Sequence, residues 1–475
     1  MKHLQSLAPF APASRAKNLS VTLMQGVPKI YRKMEANSRI ILAFLVFIGL
    51  SAGLKAQDKP LQVSSEEQAL VVDSLAIMLN REYVFPEKAK EMGDLLRKNL
   101  KDGVYKEDTE PGKFGDKLTA DLQSVSHDLH LRVMYGPEEI AEYRKQTENA
   151  DKKAVEEETM KDLGARNFGF KEVKILDGNI GYLKFNSFVD AKYGAPTAAA
   201  AMQMMAYTDA IIFDLRDNGG GSPSMIQFIT TYLMDDYTHL NTFYWRPTDE
   251  LQQFWTLPYV PGKIMPKVDV YVLTSNRTFS GAEEFTYNLK NLKRAVIVGE
   301  VTGGGAHPVE LMIINDNFGI SMPKGRAINP ITKTNWEGTG ITPDYQVAAP
   351  AALDKALEVA FDSLMSKTDD PEKKFRYQWG LDGLQAKTNP TKLEEPVMKK
   401  YAGVYDIRTI TYENGNLYYQ REGRPKYRMI PMNETTFMFD EISYFRLKVI
   451  VENGKAIALE GLYDNGGTDK NLRTK

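Results

Sequence analysis

The sequence predicts an α/β core built on a largely parallel sheet, with helices before it and a small β domain after it. Short apolar runs at 173–176, 180–185, 210–215, 268–273 and 295–298 alternate with helical stretches at 195–206, 225–234 and 282–292, the rhythm of strand–helix crossovers. Ile211-Ile212-Phe213 is apolar at every position, which suits a strand buried on both faces. Turn signals Asn414-Gly415, Asn453-Gly454 and Asn465-Gly466 punctuate short aromatic strands near the end, as hairpins require.

Taken in order, residues 1–57 read as a leader. Arg39 precedes an apolar run at 40–50, and small residues lead to Ala56-Gln57, the layout of a secretory signal peptide. The run falls short of the roughly 20 residues that span a bilayer, so the chain is expected to be exported, periplasmic or secreted. A helical module follows over 58–125. Ser64 and Glu67 form a capping box, Pro86 opens a second helix, and a third covers 113–122. The core is expected over 126–370, with a charged helical arm at 136–165. A polar linker spans 371–395, and the β domain, lipocalin-like in its strands, spans 396–475.

With 475 residues, two or three domains are the expectation. Sixty basic and 62 acidic side chains leave a charge of −2, with no basic stripe to bind nucleic acid. The absence of cysteine rules out disulfides, thiolate metal sites and a cysteine nucleophile. The five histidines, at 3, 127, 130, 239 and 307, are too few and too scattered for a histidine-rich metal centre. No metal and no organic cofactor is expected.

Four segments carry chemistry. Asp214 to Pro223 is an apolar strand running through Gly219, Gly220 and Gly221 into a helix that opens at Ser222-Pro223. Such a loop turns amides inward and suits an oxyanion, although a tight turn explains it equally well. Thr274 to Phe285 places Ser280 where a second buried strand meets a helix, followed by Gly281 and Ala282. Ser280 is either a nucleophile on an elbow or an N-cap completed by Glu283. Ser126-His127-Asp128-Leu129-His130 offers two histidines as bases, and His307, after Gly303-Gly304-Gly305, competes with them. Glu337, in a glycine-rich loop ending at Pro343-Asp344, has the carboxylate to orient an imidazole.

In this order and spacing the segments resemble the C-terminal-processing serine peptidases, closest to the branch of the tricorn core and the interphotoreceptor retinoid-binding modules. The likeness covers roughly 125–350. It implies a crotonase-like (ClpP/crotonase) core of ββα units and a nucleophile at Ser280. It also implies oxyanion amides at Gly219 or Gly220 and at Gly281, which stands where alanine is commoner. One branch of the family uses a lysine base within Gly-Lys-Gly, and here Gly305 falls at that position. The other branch uses a histidine and a glutamate, which the resemblance places at His130, within Asp128-Leu129-His130, and at Glu337. A PDZ insertion has no room between Val133 and Val173.

The function implied is peptide hydrolysis of a peptide or protein substrate through an acyl-enzyme. A non-catalytic binder of hydrophobic ligands with the same fold, or an esterase on the same site, are the alternatives. Joint retention of Ser280, His130 and Glu337 speaks against a pure binder.

Overall fold

Capped helices open the part of the chain described by the computed structural model, which comprises residues 62–148 and 152–475. The leader expected over 1–57 lies outside these residues. Helix α1 (Ser65–Glu82) starts where Ser64 Oγ accepts the Glu67 N–H at 3.1 Å, while α2 (Pro86–Lys101) and α3 (Pro111–Ser126) start on prolines. Their apolar faces, among them Val71, Leu75, Leu79, Met92, Leu96, Phe114 and Leu118, do not close on themselves. They share one core with Leu131 and Val133 and with Phe318, Ile320 and Met322 from far along the chain. The helices expected as a separate module are therefore half of a layer completed by later strands.

Strand β1 (Arg132–Tyr135) is followed by helices α4 (Pro137–Glu148) and α5 (Lys152–Ala165), the charged arm. The core then runs β2 (Phe170–Leu176), β3 (Ile180–Phe185), α6 (Ala191–Met204), β4 (Ala210–Asp214), α7 (Pro223–Thr231), β5 (His239–Trp245) and β6 (Glu250–Trp255). It continues through β7 (Asp269–Thr274), α8 (Gly281–Asn291), β8 (Val296–Gly299), β9 (Val309–Ile313), β10 (Phe318–Pro323), β11 (Gly325–Ile328) and β12 (Tyr345–Gln346). The central sheet has the order β12-β8-β7-β4-β3-β2, parallel from β3 to β12, with β2 antiparallel at one edge. Strand β4 is buried at all five positions, as its uniform apolarity predicts.

Both faces of this sheet are covered. Met202, Ile226, Ile229, Phe285 and Leu289 of α6, α7 and α8 pack on one. Ala356, Ala360 and Phe361 of α9 (Ala352–Lys367) and Tyr377 and Leu381 of α10 (Pro371–Thr388) pack on the other. Helix α10 occupies most of the expected linker. Asp370 caps it by accepting the Glu372 N–H at 2.9 Å, and its buried Tyr377, Trp379 and Leu381 are spaced too sparsely in a polar sequence to stand out.

Two smaller sheets, β1-β10-β9 and β11-β5-β6, lie outside the central one. The architecture is thus mixed α/β with several sheets. After α11 (Glu395–Tyr401) the chain forms two antiparallel sheets of four and five strands around one core that includes Tyr405, Ile410, Phe437, Leu447 and Leu459. The hairpin at Asn414-Gly415 has φ of 48° and 80°, the left-handed pair that a tight two-residue turn needs. Among the described residues, no helix is long and apolar enough to cross a membrane.

Candidate active site

Strands β4 and β7 are neighbours, with Asp214 opposite Leu273, so the segments after their carboxyl ends meet. After β7, Ser275 Oγ donates to Arg216 O at 2.5 Å and Thr278 Oγ1 to Leu215 O at 2.8 Å, binding the second loop to the first. Phe279 N–H donates to Asn218 O at 3.1 Å. The chain then turns sharply at Ser280, with φ 54° and ψ −121°, before α8 begins. A non-glycine residue held there is strained, as at the nucleophile elbow of serine hydrolases. Ser280 N–H donates to Glu283 Oε2 at 2.9 Å, the carboxylate half of a capping box around the elbow.

The glycine loop is fitted against this elbow. A Cβ on Gly220, whose φ is 102°, would lie 2.5 Å from Gly281 N, and one on Gly281 would lie 2.9 Å from Gly221 N. Asn218, fully buried, accepts the Gly220 N–H at 2.9 Å and donates to Phe185 O at 3.0 Å. Gly220's amide is thereby engaged. Gly219's reaches only Asn186 O, at a long 3.4 Å, and the space beside its Cα is open. Gly281, first in its helix, has no partner in the helix's own ladder. Of the two candidate donors in the loop, Gly219 is the freer. Below it, buried Asp214 accepts from Tyr182 Oη and Arg216 Nη2, each at 2.6 Å. Burial pushes its pKa up, but the Arg216 and Tyr182 bonds outweigh that and hold it below the usual carboxylate range.

Across the cavity stand the candidate bases. His127 is the left-handed C-cap of α3, with φ 56°. Buried His130 lies against Phe279, the residue before the serine, with ring centroids 4.6 Å apart. Its backbone N–H donates to Asp128 Oδ1 at 3.0 Å, while neither ring nitrogen has a hydrogen-bond partner. Burial depresses its pKa to about 4 against the pull of Asp128. His307 is placed differently: its Nδ1 lies 2.6 Å from Asp128 Oδ2, which also accepts from Tyr83 Oη at 3.3 Å. Burial lowers the His307 pKa, but Asp128 and Glu337 outweigh burial and raise it.

Glu337 Oε2 accepts the Ala306 N–H at 2.5 Å and lies 3.6 Å from His307 Nδ1, while its buried Oε1 has no partner. Burial, reinforced by Asp128, pushes its pKa up to about 7. One nitrogen of His130 and one oxygen each of Asp128 and Glu337 lie within 4.8 Å of one another, the spacing of a cation site. Both Asp128 oxygens are already committed to hydrogen bonds, which makes the trio a poor ligand set.

The structure therefore gathers Ser280, His130, Gly219, Gly220 and Gly281 around one cavity of about 950 Å³, walled by Phe243, Trp245, Phe254 and Trp336. Glu337 stands behind it. Three contributions escaped the sequence reading. Asp128 serves both histidines, and His307 holds the tightest acid contact. Glu283 does more than cap. Its carboxylate takes Thr302 Oγ1 at 2.5 Å, Gly304 N at 2.7 Å and Gly305 N at 2.9 Å besides Ser280 N. It clasps the third glycine run to the elbow. Burial lifts its pKa to about 6 despite those four donors. The capping-box spacing was its only local signal.

Comparison with known proteins defines the class as a serine-type peptidase. The core of the chain matches peptidase family S41. The family's model matches residues 179–347, and a model described as the N-terminal domain of Peptidase_S41 in eukaryotic IRBP matches 55–168. Solved structures that resemble it include a candidate peptidase from Parabacteroides merdae, at 18% identity over 62% of this chain and 96% of that one, TM-score 0.45. The photosystem II D1 C-terminal processing protease matches at 16% identity over 61% and 94%, TM-score 0.39. The tricorn protease matches at 15% identity over 68% and 37%, TM-score 0.40.

Proposed function

We propose that the chain is an exported peptidase that cleaves peptide bonds through an acyl-enzyme on Ser280. The observation that carries this reading is Ser280 itself: a strained, half-buried serine between a buried strand and a helix, lining the cavity. Its Oγ attacks the scissile carbonyl carbon and passes its proton to His130, which burial keeps neutral at neutral pH. The oxyanion is held by the amides of Gly281 and Gly219. His130 then protonates the departing amine, and water attacks the acyl ester by the same route. Glu337 stabilises the imidazolium, its free Oε1 being the available acceptor. The ring nitrogens of His130 have no partner among the described residues, and hydrogen bonds of this kind tighten when substrate arrives.

A second assignment of the base rests on one contact. His307 Nδ1 sits 2.6 Å from Asp128, the arrangement of a base and its orienting carboxylate. In that case His307 Nε2 takes the proton.

A ββα unit, β2-β3-α6, supports the crotonase-like class for the core, and two small antiparallel sheets support a lipocalin-like end domain. Export rests on the apolar run at 40–50; N-terminal sequencing of the protein from an exported fraction tests it, with a mature start near residue 58 expected. The hydrolytic reading is tested with a fluorophosphonate probe and peptide mapping of the adduct. Labelling at Ser280, lost in Ser280→Ala together with cleavage of a peptide library, is expected. Equal cleavage by the variant would overturn it.

A further inference from the structure

Four acids line the cavity, Asp217, Glu250, Glu284 and Glu310, and of these Glu284 is the buried one. Glu284 lies four residues beyond Ser280 on α8, 3% exposed, and lines the same cavity as the serine. Helical side chains lean toward their helix N-terminus, so its carboxyl leans toward the nucleophile. The two neighbours that address it are amides, Asn241 of β5 and Asn288 of α8. Both are fully buried, and both have Nδ2 atoms that approach too loosely to close full hydrogen bonds. Among the described residues no cation opposes it, and burial outweighs the two amides and lifts its pKa to about 7.

Of the four cations lining the cavity, Lys171 is exposed on β2 and the other three are occupied elsewhere. Lys324 pairs with Glu310 at 2.6 Å and Glu82 at 3.1 Å, Arg277 pairs with Asp217, and Arg166 pairs with Asp162 at 3.0 Å. A buried carboxyl without a counter-charge is costly unless something pairs with it. The wall residues Phe243, Trp245, Phe254 and Trp336 are aromatic, and aromatic ring faces favour a cation over an anion. Aromatic walls with one under-satisfied acid are the chemistry of a receptor for a positively charged side chain.

We infer that Glu284 selects a substrate with lysine or arginine beside the scissile bond, on the acyl side, where a long unbranched side chain runs along α8 from Ser280 to the carboxyl. The inference rests on the hydrolytic reading for the position of that bond. Glu284 is here a specificity residue, remote from the reacting atoms.

The test compares two fluorogenic peptides that differ only in lysine against norleucine at that position. The wild-type kcat/KM ratio should favour lysine by about tenfold or more, and Glu284→Gln should bring it to within about threefold of unity. Fluorophosphonate labelling of Ser280 counts competent sites in each preparation, so a misfolded variant is not mistaken for an unselective one. Equal turnover of both peptides by the wild type, or an unchanged ratio in the variant, overturns the inference. Binding separates it from the chemistry: saturable quenching of tryptophan fluorescence by benzamidine should occur with Ser280→Ala and be lost when Glu284→Gln is added. Benzamidine binding without any peptide cleavage would sink the hydrolytic reading and leave the cation site standing. No benzamidine binding would sink the cation site alone.

Discussion

The two halves of the site are built to different standards. On the nucleophile side every loop is tied down. Asn218 holds its glycines, Ser275 and Thr278 bind one loop to the other, and Glu283 clasps a third loop to Ser280. On the base side, both ring nitrogens of His130 and Oε1 of Glu337 are buried without partners, and one carboxylate, Asp128, is shared by two histidines. Buried polar atoms without partners are rare in folded proteins. Under the proposed mechanism, the contrast separates a tied-down nucleophile half from a base half that leaves hydrogen bonds for a substrate to complete.

If the nucleophile half is preformed for chemistry, Ser280→Ala has the largest effect available. Loss of the nucleophile should lower kcat by at least about 10⁴-fold. Folding should survive, because losing one N-cap hydroxyl costs only about 1 kcal/mol. Kinetics together with a thermal melt check both halves of that expectation; a stable variant with parental turnover removes Ser280 from the mechanism.

The base half is where the comparison can be broken. His130→Ala should cost about 10³-fold in kcat/KM, with His307→Ala costing about tenfold through its support of Asp128. The reverse order would make His307 the base and Asp128 its orienting acid. Measuring kcat/KM for both variants against one peptide decides the assignment.

The same contrast explains what was legible in the sequence. Strand β4, the glycine loop and the Ser280 elbow are contiguous patterns, so short-range periodicity and turn chemistry reveal them. Helix α10 was obscured by its polar composition although Asp370-Pro371 marks its start. The contact between Asp128 and His307 joins residues 179 apart, and no local pattern records it. Similarly, Phe318, Ile320 and Met322 complete the core of α1, α2 and α3 only after the chain has returned. The hairpin β5–β6 was missed because its buried face, at Leu240 and Phe243, is interrupted by buried Asn241 and Thr242.

Glu337→Gln sharpens the picture at the next level. Losing the charge that steadies the imidazolium should lower kcat about 100-fold, with a smaller change in KM. The pH profile gives a second readout. Burial, then Asp128, raises the Glu337 pKa to about 7, so the carboxylate is lost as pH falls through that value and turnover falls with it. His130 itself, depressed to about 4, stays neutral over the same range. The wild type should therefore show an acid limb near pH 7 that Glu337→Gln abolishes. Persistence of that limb in the variant would assign it to another group, with His307 the first candidate.

The smallest effect is expected at the third histidine of the region. His127 follows α3 as its C-cap, exposed, with φ 56° and ψ 15°, and its N–H closes the helix on Gln123 O at 2.9 Å. A left-handed cap of this kind is the position where glycine is preferred, because a Cβ adds strain there. His127→Gly should keep the helix-closing backbone bond and relieve that strain, while enlarging the conformational freedom of the unfolded chain. The two contributions oppose each other, so the net change in stability should lie within about 1 kcal/mol, on the favourable side if strain dominates. Turnover should remain within about twofold of the parent, since neither Asp128 nor His130 uses the His127 ring for any bond. A melt and a single kcat/KM measurement are enough. A tenfold loss of activity in a protein of unchanged stability would place His127 among the working residues and extend the unfinished half of the site by one more histidine.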